Sequence, residues 1–278
     1  MTSFHGLPAA SLDNGLLRLD YLTQAGLRLV RLQLAGQAEN LLAETPDISW
    51  PTPYGPDYHL IGGHRLWLAP ETEYSSYPEP ADLQIEAGKL QVHLTQAPEP
   101  LHALEKTITV KLHPQIAHLT LDHQITNHGR APLELACWAI TQLPLGGQAI
   151  LPQPDGPLDQ HGWQPNRTLV LWPYASWQDP RLELQDHEIR IAAQAQSRAF
   201  KLGYFNRHGW IEYQRAGVRL RKRFTPQPQA PHPDFGCNVE VYVHDRFIEL
   251  ETLGPLHTLQ PGESSQLQET WEIEFAGQ

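Results

Sequence analysis

Residues 238–255 read NVEVYVHDRFIELETLGP, and their alternation decides the fold class. Val239, Val241 and Val243 share one side of an extended chain, which leaves Glu240, Tyr242 and His244 on the other, because successive side chains of a β-strand point to opposite faces. After a short polar break the pattern resumes. Ile248 and Leu250 point toward a core, and Phe247, Glu249 and Glu251 take the opposite side. The same period of two recurs in LRLVRLQLAG, KLQVHLTQA, TITVKLH, AHLTLDHQIT, LELQDHEIRIAA, VRLRKRF and TWEIEF. The 25 prolines and 20 glycines are spread along the chain and leave little room for long helices. The pattern predicts an all-β protein, a large antiparallel sandwich with residues 1–278 forming one domain.

Bulk composition narrows the partners. A formal net charge of -11 disfavours nucleic acid and anionic membrane surfaces, and favours a neutral polar small molecule. No apolar run is long enough to span a bilayer and the N-terminus lacks a signal-peptide pattern, so a cytoplasmic protein is expected. Cys137 and Cys237 form no CxxC pair and read as buried structural thiols. The 15 histidines show no HExxH or Cys/His cluster, so neither a metal nor a cofactor is expected. His123, on the apolar face of LTLDHQIT with Leu119, Leu121 and Ile125, reads as a core histidine.

Three stretches hold the candidate chemistry. If the two strands of the opening segment are neighbours, Tyr242, His244 and the carboxylates Glu240, Glu249 and Glu251 converge on one sheet face. A solvated outer face is the plainer reading of that pattern. Arg219, Arg221 and Arg223 in VRLRKRF could supply cations to these carboxylates, and a solvated charge ladder explains them equally well. RTLVLWPYASWQDPR, residues 167–181, contains Trp172, Tyr174 and Trp177, which could stack on sugar rings or, for Trp172, fill the core. GGHRLWLAPE, residues 62–71, places a histidine, an arginine and a tryptophan beside a glycine pair.

GGHRLWLAPE, CWAITQLPLGG, LWPY..WQDPR, DFGCNVEVY and FIELETLGPLHTLQPGESS occur in an order that resembles the galactose mutarotase-like superfamily, specifically a branch of uncharacterised members, over nearly the whole chain. The resemblance implies a β-supersandwich whose concave face binds a hexose. Leu250-Glu251-Thr252 matches the context in which aldose 1-epimerases carry a glutamate base, which makes Glu251 the candidate base, and Arg65 falls where they carry an arginine that grips sugar hydroxyls or orients the glutamate. LACWAITQL departs from that pattern, with Trp138 where epimerases keep a histidine acid.

Two functions are therefore expected from the resemblance. In the first, the protein interconverts sugar anomers, with Glu251 as base, His64 replacing the missing acid and His244 a weaker substitute. In the second, it binds carbohydrate without turnover. In either, Arg65, Trp67, Trp138, Trp172, Tyr242, Glu240, Glu249 and His244 would contact the sugar.

Overall fold

The computed structural model describes residues 2–53, 55–72, 83–99 and 101–275. Two large antiparallel sheets face each other, as the alternation predicts. The first runs in the order Thr2–Phe4, Leu7–Asp13, Leu17–Leu22, Arg28–Leu34, His64–Ala69, Leu133–Pro144, Phe247–Leu253, Val239–Val243, Phe200–Tyr204 and Val170–Leu171. The second extends from Leu182–Leu184 to Leu83–Ala87, with Val218–Arg223, Ser264–Phe275 and His118–Asn127 at its centre. Among the described residues helix is confined to one turn at Pro233–Gly236, in which Asp234 and Phe235 are left-handed, with φ of 52° and 60°. Among the described residues no helix is long and apolar enough to cross a membrane.

The core lies between the two sheets. Val239, Val241, Val243, Ile248 and Leu250 from the first sheet and Leu119, Leu121 and Ile125 from the second are buried in one apolar cluster. The sequence pattern had assigned these same residues to the core side. Cys137 and Cys237 are buried free thiols, and burial pushes Cys137 up to about 12.

The other face of the first sheet is covered instead of solvated. A separate two-stranded sheet, Glu44–Trp50 paired with Tyr58–Gly62, lays Tyr58 and Leu60 against Trp67, Trp138 and Phe247. Its return into the main sheet depends on the glycine pair. Gly62 and Gly63 have φ of 104° and 75°, and a Cβ on them would come within 2.2 Å of the Ala43 carbonyl oxygen and 2.0 Å of the Leu29 carbonyl oxygen. Only glycine permits both that conformation and that approach.

VRLRKRF lies in the second sheet, away from the carboxylates of the first. Arg219 pairs with Glu274, Arg221 with Glu212 at 2.7 Å and Arg223 with Glu272 at 2.5 Å. The ladder reading holds for these arginines, and the cations of the carboxylate face come from elsewhere.

Candidate functional site

The strands Val239–Val243 and Phe247–Leu253 are hydrogen-bonded neighbours, with Glu240 opposite Glu251 and Tyr242 opposite Glu249. Leu133–Pro144 flanks them, and His64–Ala69 lies beyond it, bringing Trp138 beside both Leu253 and Trp67. A cleft of about 450 Å3 opens on this face. Its walls include Trp67, Trp138, Tyr174, Tyr242, His244 and Phe247, and Arg65, Lys201, Glu71 and Glu249 supply charge.

Two buried ion clusters organise the floor. Arg65 Nη2 donates to Glu249 Oε1 at 2.9 Å, and its guanidinium lies 4.5 Å from the Trp67 ring centre. The Lys201 ammonium lies 2.6 Å from Glu240 and 3.1 Å from Glu251, between the rings of Trp138 and Trp172 at 4.7 and 4.5 Å. Trp138 Nε1–H donates to Glu251 Oε2 at 2.7 Å. Trp138 thus anchors the carboxylate that the resemblance marks as base.

The electrostatics follow from burial. Burial alone would lower Lys201, but the Glu251 and Glu240 carboxylates outweigh it and hold the ammonium above its usual range. Burial pushes Glu240 well above the carboxylate range against the pull of Lys201, and the neighbouring Glu251 carboxylate adds to the rise. Burial also raises Glu249, opposed by Arg65, and desolvation in the cleft raises Glu71. Tyr242 is pushed up to about 12, chiefly by burial, and stays a neutral hydroxyl.

Not every buried group here is satisfied. Arg65 Nε and Nη1, both amide atoms of Gln142 and Glu251 Oε1 are buried without a hydrogen-bond partner. Such groups cost about 1–3 kcal/mol each when left unmade, and a ligand that reaches them removes that penalty.

His64 is not in this cleft. Period two sends it to the opposite face from Arg65, into the interior between the sheets, where it is fully buried. His123 Nδ1–H donates to the Leu267 carbonyl at 2.9 Å, so its Nε2 is the bare acceptor of a neutral ring. His64 Nε2–H therefore donates to it at 2.8 Å, and the Thr141 hydroxyl donates to His64 Nδ1 at 2.9 Å. Burial drives His64 well below its usual value, with His123, Lys222, Arg65 and Arg28 adding to the shift. A neutral imidazole with both nitrogens engaged and no path to the cleft does not serve as an acid there, which corrects the expectation for His64.

The same interior holds a group that motif spacing did not reveal. His64, His123 and Glu269 place three potential metal donors within 4.8 Å of one another, drawn from three distant strands. Lys222 sets its ammonium 3.0 Å from Glu269 and supplies positive charge there, while Trp271 Nε1–H and the Thr252 hydroxyl donate to the same carboxylate.

Of the other residues singled out in the sequence, Arg65, Trp67, Trp138, Tyr242, His244 and Glu249 line the cleft. Glu240 and Glu251 lie beneath it, fully buried. Trp172 covers Lys201 and borders an adjoining groove, and Trp177 is exposed. Sequence reasoning missed Lys201 and Glu71. Lys201 had a signal, since AFKLGY puts it opposite the apolar Phe200 and Leu202.

No family model and no curated protein matches the sequence. Solved structures do. A candidate aldose 1-epimerase from Escherichia coli K12 superposes with a TM-score of 0.60 at 17% identity, covering 97% of this chain and 100% of that one. The Slr1438 protein from Synechocystis sp. PCC 6803 gives 0.61 at 11% identity over 99% of this chain and 100% of its own. A galactose mutarotase-like protein from Lactobacillus casei ATCC 334 gives 0.58 at 11% identity over 96% and 100%. At these identities the likeness extends to architecture, and the chain has the galactose mutarotase-like fold.

Proposed function

We propose that the cleft binds a monosaccharide ring and interconverts its anomers with two carboxyl groups of one strand, Glu251 as base and Glu249 as acid. The observation that carries this reading is their placement. Two residues apart, about 7 Å along the strand, they share the cleft-facing side in different surroundings. Glu249 lines the cleft with its proton affinity raised by burial, while Glu251 sits deeper, held by Trp138 and Lys201. Paired titratable groups in unlike environments are how one site supplies both acid and base near neutral pH.

The ring would rest against Trp67 and Trp138, its C–H faces on the indoles. The unpartnered Arg65 Nε–H and Nη1–H would donate to its hydroxyl oxygens. Glu251 takes the proton of the anomeric hydroxyl while Glu249 gives one to the ring oxygen, and the bond from the anomeric carbon to the ring oxygen breaks. The aldehyde rotates, and reclosure returns both protons. No cofactor enters these steps. A small carbohydrate is the partner, in keeping with the aldose 1-epimerase and mutarotase names carried by proteins of this architecture.

A second reading, binding without turnover, draws on one observation: Glu251 has no exposed surface and lies behind Trp138 and Lys201. Saturation-transfer NMR between α and β anomers of a hexose and pentose panel separates the two. Acceleration by the wild type that is lost in Glu251→Gln and in Glu249→Gln supports turnover. A sugar that raises the melting temperature without accelerating exchange supports binding alone. Acceleration that survives both substitutions removes the carboxyl pair from the mechanism.

A further inference from the structure

A second, more open groove of about 670 Å3 adjoins the cleft, and Trp50 and Glu71 line both. Charge is sorted by depth across the two spaces. On the floor of the cleft each cation is already paired, Arg65 with Glu249 and Lys201 with Glu240 and Glu251. At the rim, the side chains of Glu71 and Asp234 make no hydrogen bond or ion pair with a described residue, and among the described residues that line the groove there is no lysine or arginine. Resting on the function proposed above, we infer that the ligand is an amino sugar, whose ring lies in the inner cleft and whose ammonium group reaches the rim carboxylates Glu71 and Asp234.

The chemistry of the lining points to that class. A protonated amine carries N–H donors and a positive charge, and carboxylates accept charge-assisted hydrogen bonds of this kind more strongly than those of a hydroxyl. Trp50 and Trp172 border the same groove, and the faces of indole rings attract cations. Trp172 already does so for Lys201, whose ammonium lies 4.5 Å from its ring centre. Desolvation raises the Glu71 carboxyl and Lys201 opposes the rise, while Glu251 and Asp234 add to it. These carboxylates thus lie close enough to repel one another, and a ligand cation relieves a repulsion that a neutral hydroxyl leaves in place. A phosphate or sugar acid would add to it. The ring itself has separate partners. Arg65 lines the inner cleft, is only 3% exposed, and keeps Nε–H and Nη1–H without acceptors, which suits the hydroxyl oxygens of the sugar.

The test is isothermal titration, at a pH where the amine is protonated, of glucosamine, galactosamine and mannosamine against glucose, galactose, mannose, N-acetylglucosamine and glucose 6-phosphate. The proteins are the wild type, Glu71→Gln, Asp234→Asn and Arg65→Ala. Asparagine tolerates the left-handed backbone of Asp234 and removes its charge. At least one amino sugar is expected to bind about tenfold more tightly than its neutral parent, a preference absent for the N-acetylated sugar and cut to within about threefold by Glu71→Gln and by Asp234→Asn. If neutral hexoses bind in an Arg65-dependent manner as tightly as the amino sugars, the amino-sugar inference is refuted and the inner cleft stands. A preference that survives either rim substitution intact, or one for glucose 6-phosphate, refutes it equally. If nothing on the panel binds the wild type, the inner-cleft reading falls and this inference falls with it.

Discussion

Buried ion clusters lie back to back through a single sheet, and the contrast between its two sides distinguishes the proposed binding site from a structural core. On the cleft side, Arg65–Glu249 and Glu240–Lys201–Glu251 keep buried N–H and carboxylate atoms without partners. On the interior side, His64, His123, Lys222 and Glu269 are equally buried, yet each is engaged. Glu269 receives Lys222, Thr252 and Trp271, and the imidazoles bond each other, Thr141 and a backbone carbonyl. Adjacent residues supply both, His64 and Arg65 on one strand and Glu251 and Thr252 on another. Residue type and burial do not tell the two apart. Unmet hydrogen-bonding capacity does.

The contrast breaks most visibly in catalysis. Glu251→Gln is expected to slow anomer exchange by about 10²–10⁴-fold, the usual worth of a general base, whereas His64→Gln leaves the exchange rate per folded molecule within a few fold. A large loss in the histidine variant, measured by saturation transfer on protein shown to be folded, would return His64 to the mechanism.

Next in size is stability. Lys222→Met strands Glu269 in the interior and should cost about 3–5 kcal/mol by urea unfolding. Because that cluster only holds the sheets together, sugar affinity of the folded fraction should not change.

pH gives an intermediate effect of defined sign. His64 and His123 have folded values depressed by burial below 6.5, so the unfolded chain binds more protons in that range and stability falls as pH drops below about 6.5. The slope reaches at most about 1.4 kcal/mol per pH unit for each histidine, and His123→Leu should flatten it in thermal melts. Glu249 has the opposite sign. Its folded value is raised, so its contribution is lost as pH rises through that value, and an acid role predicts that the rate falls on the same alkaline side. Glu249→Gln should remove that alkaline limb.

The smallest change is Glu240→Gln. A carboxyl whose proton affinity burial raises this strongly should lose little on becoming an amide, so stability is expected to shift by less than about 1 kcal/mol. A loss of several would mean that Glu240 is ionised against Lys201.

Much of this was legible in the alternation. Glu240, Tyr242, Glu249 and Glu251 fall on one face because strands have a period of two, and the valines opposite them form the core. Strand order was not legible. Nothing local says that Phe200–Tyr204 pairs with Val239–Val243, so Lys201 went unnoticed although it, and not Arg219, Arg221 or Arg223, is the cation paired with Glu240 and Glu251. Nor does alternation say what covers a polar face, which is why a solvated surface is the plainer expectation from sequence although the hairpin Glu44–Trp50 and Tyr58–Gly62 lies over that face. The misplacement of His64 had a different cause. Its neighbour Arg65 suggested a shared site, and the strand's own periodicity already forbade one.

That periodicity gives the glycine pair a further meaning. A strand displaced by one residue exchanges its two faces, which here would turn Arg65 into the interior and His64 into the cleft. The approach of Gly63 to the Leu29 carbonyl, too close for any side chain, fixes where the strand begins and so which face each residue meets. The glycines contribute no functional group to the cleft, and act as its alignment mark.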